Sequence, residues 1–133
     1  RSTLFPYTTL FRSKILIVED SQVFIDLLLY AINDAGYTDI TIAKDGKEGL
    51  RKVQQQKFNL ILSDIHMPKM DGLTMIKEIR NFDHYKKIPI LVLSTEFSVE
   101  YKEKGKIAGA NGWISKPFIP AQLIKAIGLC LNR

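Results

Sequence analysis

Five short segments of this chain are apolar almost throughout, and each is followed by a segment with helical periodicity. A strand with one face in water alternates polar and apolar residues, whereas a uniformly apolar strand is buried on both faces. Because a helix follows each strand, we expect an α/β fold, a doubly wound parallel sheet covered by helices on both faces. The predicted strands span residues 14–19, 38–43, 58–63, 88–93 and 112–115, and the predicted helices span about 21–35, 45–56, 71–81, 98–108 and 120–131.

The length and composition of the chain indicate one domain. Its 133 residues, with 46% hydrophobic content, are enough for a single core that buries about two thirds of the unfolded surface. The apolar runs are far shorter than a membrane span, and the single cysteine, Cys130, can form no internal disulfide. Arg1 and Arg12 supply two of the five net positive charges, which leaves +3. We therefore expect a cytoplasmic protein without direct nucleic-acid binding or membrane contact.

The first 13 residues, RSTLFPYTTLFRS, show neither helical nor strand periodicity. They precede the first predicted strand, which begins with KILIVED. Residues 3–13 also resemble the translation of a widely used sequencing adapter in one reading frame. We therefore expect residues 1–13 to be a non-native, disordered extension and residues 14–133 to form the functional domain. The extension is excluded from arguments about the fold.

Polar side chains follow four of the five predicted strands, and in open parallel sheets ligands bind beyond the carboxyl ends of the strands. These positions hold three carboxylates, a hydroxyl and an amine: Glu19, Asp20, Asp64, Ser94 and Lys116. Clustered carboxylates repel one another, and Mg²⁺ relieves that repulsion while it can still bind water and a phosphate oxygen. The amine and the hydroxyl suit a phosphoryl group. Each residue alone could serve only a turn or a helix cap, but together they predict a site for Mg²⁺ and phosphate.

Four stretches, KILIVED, FNLILSDIHMPKMDG, IPILVLST and NGWISKPF, resemble the signature sequences of the receiver domain of two-component response regulators. The resemblance covers residues 14–133. It implies the flavodoxin-like (βα)5 fold with strand order 2-1-3-4-5. It also implies that a sensor histidine kinase, or its phosphotransfer domain, phosphorylates Asp64. Such a domain is a phosphoacceptor that catalyses its own phosphorylation and dephosphorylation, and it is not an enzyme acting on other substrates.

The resemblance also gives the site residues their roles. The implied Mg²⁺ ligands are three carboxylates and one backbone carbonyl, those of Glu19, Asp20, Asp64 and His66. Lys116 would contact the phosphoryl group, and Ser94 would be the switch hydroxyl. Trp113 takes the place of an aromatic side chain that moves after phosphorylation. The peptide bond between Lys116 and Pro117 would be cis.

Three features set this chain apart from the commonest form of the family. Glu19 stands where an aspartate is frequent, and Ser94 stands where a threonine is frequent. The helix at 21–35 is more apolar than one buried face requires. The residues expected to face the sheet are Phe24, Leu27, Leu28, Ala31 and Ile32. Ile25 and Leu29 would then face solvent, either as ordinary surface residues or as a docking edge for the kinase.

The output of the domain has several possible forms. The stretch from Leu93 to Phe118 is most similar to single-domain chemotaxis regulators, which implies a monomer that binds a flagellar motor switch protein or a phosphatase. The face formed by residues 98–108, 112–115 and 120–131 would carry that output. The alternatives are a phosphorelay intermediate and a receiver fragment of a larger regulator or hybrid kinase. A phosphatase of the haloacid dehalogenase type is disfavoured, because it would need Asp-x-Asp where this chain has Glu19, Asp20 and Ser21.

Overall fold

The structure is a computed structural model that describes residues 13–132. The predicted extension therefore lies outside the described residues, except for Ser13. The strands are β1 (Ile15–Val18), β2 (Ile40–Ala43), β3 (Leu60–Ser63), β4 (Ile90–Ser94) and β5 (Gly112–Ser115). The helices are α1 (Gln22–Asp34), α2 (Gly46–Gln55), α3 (Gly72–Ile79), α4 (Val99–Ala108) and α5 (Pro120–Leu131). A 3₁₀ helix at Asp83–Tyr85, which the sequence did not predict, precedes β4.

The five strands form one parallel sheet in the order β2-β1-β3-β4-β5, as predicted. Its register aligns the strand ends at the carboxyl edge. Val18 lies opposite Ser63 on neighbouring strands, so the acidic residues that follow them come out side by side. Ser94 lies opposite Ser115, which brings the residue after β5 to the same edge.

Each face of the sheet has its own hydrophobic core. One core lies beneath α2, α3 and α4 and includes Phe58, Met75 and Ile76. The other lies beneath α1 and α5 and includes Leu28 and Ile127. Strands β1, β3 and β4 are buried along their whole length, as their apolar sequences predicted, while the edge strands β2 and β5 are partly exposed.

Side-chain caps fix where four of the helices begin. Ser21, Asp45, Asp71 and Ser98 each accept a hydrogen bond from the backbone N–H three residues later. Such caps satisfy N–H groups that have no partner within the helix. They start α1, α2 and α4 within five residues of a strand end, so these loops at the carboxyl edge are short, whereas the loop between β3 and α3 has eight residues. Within the described range the longest helix, α1, has 13 residues, and no helix there is long and apolar enough to cross a membrane.

The predicted orientation of α1 is wrong in part. Ile25 is only 1% exposed, whereas Leu27 is 54% exposed. Six of the first eight residues of α1 are apolar, so its hydrophobic pattern fits more than one rotation of the helix about its axis. The buried residues Ile25, Leu28 and Ile32, spaced by three and four, define the rotation that packing selects. Ile25 therefore cannot be part of an exposed docking edge.

Candidate functional site

Backbone hydrogen bonds hold the predicted site residues at the carboxyl edge of the sheet. The amide of Asp64 donates to the carbonyl of Val18 (3.0 Å), and the amide of Glu19 donates to the carbonyl of Ala43 (2.9 Å). The amide of Lys116 donates to the carbonyl of Ser94 (3.0 Å). These bonds continue the strand ladders by one residue, so side chains distant in sequence meet at fixed positions.

Lys116 lies between two carboxylates. Its Nζ donates to Oε1 of Glu19 (2.6 Å) and to Oδ2 of Asp64 (2.9 Å). The remaining carboxylate oxygens accept from the backbone: Oε2 of Glu19 from the amide of Ser21 (3.0 Å), and Oδ1 of Asp64 from the amide of Ile65 (2.7 Å). Glu19 and Asp64 are buried, and backbone donors orient both carboxylates.

Asp20 completes the acidic cluster from an exposed position. One carboxylate oxygen from each of Glu19, Asp20 and Asp64 can be chosen so that all three lie within 4.8 Å of one another. Mg²⁺ holds its oxygen ligands at about 2.1 Å in an octahedron, so its ligand atoms lie about 3–4 Å apart. Small side-chain movements would bring the three oxygens to that spacing. The residues present therefore fit a small divalent cation.

The electrostatics of the cluster favour positive charge. Burial raises the pKa of Glu19; the hydrogen bond from Lys116 opposes this shift, and the charge of Asp64 adds to it. Burial alone would lower the pKa of Lys116, but its hydrogen bonds to Asp64 and Glu19 raise it above its ordinary value. Both pKa values are raised, but for different reasons: burial dominates for Glu19, and hydrogen bonds to carboxylates dominate the rise for Lys116. A bound cation would relieve the repulsion among the clustered carboxylates.

Ser94 and Trp113 meet at Glu96, a residue that the sequence did not single out. Ser94 is fully buried at the end of β4, and its Oγ accepts from the amide of Glu96 (3.0 Å). The indole Nε1 of Trp113 donates to the carbonyl of the same residue (2.8 Å). The six-membered ring of Trp113 lies so close to Gly105 in α4 that a β-carbon built there would collide with it. The loop after β4 thus connects the hydroxyl of Ser94 to the indole of Trp113.

The side chain of His66 makes contacts beyond its predicted role as a backbone ligand. Its Nε2 lies 3.4 Å from Oε2 of Glu96, and its ring meets the ring of Tyr101 edge-on, with centroids 5.7 Å apart. His66 follows Asp64 by two residues in the loop after β3, and Glu96 follows Ser94 by two residues in the loop after β4, the neighbouring strand. That matched spacing is the sequence signal from which this pair could have been found.

The first position of α3 can be occupied only by glycine. A β-carbon at Gly72 would collide with the carbonyl oxygen of Asp64, and the amide of Gly72 donates to the carbonyl of Ile65 (2.9 Å). This close approach holds the start of α3 against the site. On the other side of the site, the peptide bond between Lys116 and Pro117 is cis, as predicted.

Comparisons with known proteins agree with this geometry. The response regulator receiver domain family matches residues 15–128. The alkaline phosphatase synthesis transcriptional regulatory protein PhoP of Bacillus subtilis (strain 168) is 34% identical over 120 residues, 90% of this chain and 49% of that protein. The chain therefore spans about half the length of this relative.

Two solved structures are similar over nearly their whole length. The chemotaxis protein CheY4 of Vibrio cholerae has a TM-score of 0.83 and 42% identity, covering 89% of this chain and 98% of that one. The receiver domain of a sensor histidine kinase from Pseudomonas aeruginosa PAO1 has a TM-score of 0.84 and 28% identity, covering 91% of this chain and 98% of that one. That receiver was solved with a magnesium ion coordinated in its active site cleft.

Proposed function

The chain belongs to the response regulator receiver family, and we propose that it accepts a phosphoryl group from a sensor histidine kinase on Asp64 in a Mg²⁺-dependent reaction. One observation carries this proposal. Asp64 Oδ2 lies 2.9 Å from Nζ of Lys116, and the same carboxylate belongs to an acidic cluster with Glu19 and Asp20. A nucleophilic oxygen, a positive charge and ligands for a hard cation thus meet at one edge of the sheet.

The proposed reaction is an in-line displacement at phosphorus. An oxygen of Asp64 forms the new P–O bond while the P–N bond to the donor histidine breaks, and the electron pair of the broken bond stays on the imidazole. The carboxylates repel the incoming phosphoryl group, so the reaction needs positive charge close to the attacking oxygen. Lys116 supplies one such charge. The hydroxyl of Ser94 has a proton that it can donate to a phosphoryl oxygen.

The metal would be held at a site formed by the carboxylates of Glu19, Asp20 and Asp64 and the backbone carbonyl of His66. A bound Mg²⁺ would offset the negative charge of the cluster and of the phosphoryl oxygens. Both oxygens of Glu19 already accept hydrogen bonds, from Lys116 and from the amide of Ser21. We therefore expect Glu19 to reach the metal through a water molecule, which preserves those two bonds. The magnesium-bound receiver from Pseudomonas aeruginosa supports this proposal.

Phosphorylation would act on the loop between β4 and α4. A phosphoryl oxygen on Asp64 would offer Ser94 a new acceptor, and the amide of Glu96 is bonded to that same hydroxyl. A shift of Ser94 would therefore move Glu96, whose carbonyl holds Trp113. Since the indole packs on Gly105 of α4, the output face of α4, β5 and α5 would change with it. This is a local charge acting on a two-state element.

The kinase is proposed to dock on α1, on a surface that differs from the one expected from sequence. The exposed apolar side chains of α1 are Val23, Leu27 and Tyr30. We expect Leu27→Ser to slow phosphotransfer from the kinase several-fold while labelling by phosphoramidate keeps its rate. Ile107→Ser, at an exposed apolar position in α4, is the matched control. Equal slowing with both phosphodonors would exclude docking on α1.

For the output, chemotaxis is the proposal best supported. The similarity to a Vibrio cholerae chemotaxis protein extends over 98% of that chain. The match to half of a transcriptional regulator from Bacillus subtilis favours the second candidate, a receiver from a larger regulator. Binding of the phosphorylated protein to a flagellar motor switch protein would support the first candidate. Absence of that binding, while phosphorylation proceeds normally, would support the second.

The central experiment labels the protein with phosphoramidate and follows the mass of the intact chain. We expect one phosphoryl group per chain with Mg²⁺ present, no label after the metal is chelated, and no label in Asp64→Asn. Asp39→Asn, which changes a partly exposed carboxylate just before β2, at the opposite edge of the sheet, should label normally. A labelled Asp64→Asn protein would contradict the proposal. Sustained turnover of phosphate esters would indicate a phosphatase instead.

A further inference from the structure

Lys116 has a third neighbour besides its two carboxylates. The ring centroid of Phe24 lies 4.1 Å from Nζ of Lys116. Phe24 belongs to the first turn of α1, and its ring meets the ring of Phe118 edge-on, with centroids 5.5 Å apart and planes at 81°. The ammonium is therefore held between carboxylates that follow β1 and β3 and an aromatic ring on α1.

The ring complements the hydrogen bonds of the ammonium. A lysine ammonium has three N–H donors, and Glu19 and Asp64 accept from two of them. The face of an aromatic ring attracts the positive charge of the ammonium, and this attraction grows as water is removed. Water is largely excluded here, since the side chain of Lys116 is 13% exposed. The four-carbon stem of lysine is flexible, so each contact at its head restricts where the charge lies.

An aromatic ring can hold the ammonium of Lys116 without adding negative charge to the site, which a further carboxylate could not do. A third carboxylate against Lys116 would add negative charge and repel an incoming phosphoryl group. The ring attracts the ammonium through its quadrupole and carries no net charge. The positive charge of Lys116 therefore remains available to a phosphoryl oxygen beside Oδ2 of Asp64.

Phe24 packs against the core beneath α1 and α5, a contact that an aliphatic side chain could also make. Phe24 is only partly buried, unlike Ile25 beside it. It lines an open groove of about 720 Å³ between α1 and α5, together with Leu27, Tyr30 and Phe118. A leucine at this position would keep apolar contact with the groove and lose only the aromatic face, so the fold should tolerate it.

We propose that Phe24 is a positioning residue for phosphoryl transfer, and that its ring holds the Lys116 ammonium beside Asp64. The inference rests on the proposed roles of Asp64 and Lys116. It predicts that aromatic residues at position 24 support the reaction and that an aliphatic residue of similar size does not.

The test compares Phe24→Leu and Phe24→Tyr with the wild-type protein. We expect Phe24→Leu to lower the rate of Asp64 labelling at saturating phosphoramidate by about fivefold, the order of one partly desolvated cation–π contact. Phe24→Tyr should stay within about twofold of wild type, because it keeps the ring face. Phe82→Leu, which removes a partly buried aromatic ring just before the 3₁₀ helix, is the matched control and should label normally. Equal rates for all variants, or equal loss in Phe24→Leu and Phe24→Tyr, would overturn the proposal.

A second measurement separates this inference from the proposed function. Nitrogen-15 NMR can follow the exchange of the Lys116 ammonium protons with water in the unphosphorylated protein. We expect faster exchange in Phe24→Leu and unchanged exchange in Phe24→Tyr and Phe82→Leu. Unchanged exchange in Phe24→Leu would overturn the positioning role even where labelling slows. A wild-type protein that takes no label, yet shows the expected exchange, would refute the proposed function while retaining the contact between Phe24 and Lys116.

Discussion

Arg80 at the end of α3 ties the segment before β4 to the loop between α4 and β5, and its replacement should destabilise the fold. Its guanidinium donates through Nε and Nη2 to the carbonyl of Gly109 (3.1 and 2.7 Å). It donates through Nη1 to the carbonyls of Tyr85 (2.7 Å) and Ile88 (2.6 Å), and through Nη2 to Oδ1 of Asn111 (2.9 Å). All these acceptors are neutral oxygens, and burial lowers the pKa of Arg80.

The size of the effect follows from the acceptors that lose their donor. Arg80→Met removes the partner of four oxygen atoms in a half-buried site that water can enter. A net loss of about 0.5–1.5 kcal/mol for each of these oxygen atoms gives about 2–6 kcal/mol. The variant also avoids the desolvation of a buried guanidinium, which offsets part of that loss. We therefore expect the free energy of unfolding to fall by about 3 kcal/mol. Arg80→Lys should lose about 2 kcal/mol, because a single ammonium cannot reproduce the fork of donors.

Urea unfolding followed by circular dichroism measures these differences. Arg51→Met is the matched control, because the Arg51 side chain is 57% exposed and its contact with Glu48 is 3.5 Å long. Exposed ion pairs of this kind contribute about 0–1 kcal/mol, so the control should lose no more than that. The dependence of the free energy on urea should be the same in all variants if only the native state is affected. An Arg80→Met protein as stable as the control would show that the hydrogen bonds of Arg80 do not stabilise the fold.

Two further substitutions test packing and pH dependence. Gly105→Ala should displace the ring of Trp113 and shift the fluorescence emission of this single tryptophan to longer wavelength. The net loss of stability should be about 0–2 kcal/mol, because the gain in helix propensity offsets part of the steric cost. An unchanged emission spectrum would contradict the contact between Gly105 and Trp113. Tyr85→Phe should cost about 1–3 kcal/mol in urea unfolding, because the hydroxyl donates to the carbonyl of Gln56 (2.8 Å) and accepts from the amide of Phe58 (3.1 Å). Burial raises the pKa of Tyr85 above its ordinary value of 10.0. Its contribution to stability is therefore complete below pH 10 and decreases as the pH rises further. Above pH 10 the free energy of unfolding should fall less steeply with pH in Tyr85→Phe than in the wild type, and an identical slope would refute this.

The sheet and the acidic cluster could be predicted because both depend on strand ends. A uniformly apolar strand has a definite length in sequence, and parallel neighbours bring their carboxyl ends to one edge. Glu19, Asp64 and Lys116 follow such ends directly, so their meeting required only the fold. The strand starts were predicted less well: β2, β3 and β4 each begin two residues later than expected.

The rotation of α1 could not be predicted from its pattern. Periodicity identifies a buried face only where polar residues mark the other face, and α1 has few polar residues in its first turns. The choice between Ile25 and Leu27 as the buried residue depends on contacts with the sheet and α5, which are set by tertiary packing. Phe24, which was expected on the sheet side, packs against the core beneath α1 and α5 and also lies beside Lys116, a contact that the pattern could not predict.

The surroundings of Lys116 show why the charged residues of the site could be predicted from the sequence, whereas the contacts between their side chains could not. Backbone hydrogen bonds place Glu19 and Asp64 within reach of one another. The head of Lys116, by contrast, lies at the end of a flexible stem, and its position depends on three contacts from three elements. The longer side chain of glutamate lets Glu19 accept from Lys116 and from the amide of Ser21 at once. Glu19, one of the residues that depart from the commonest family pattern, therefore helps to fix where the lysine head lies. Substitution of Glu19 should affect the position of Lys116 as well as the binding of metal.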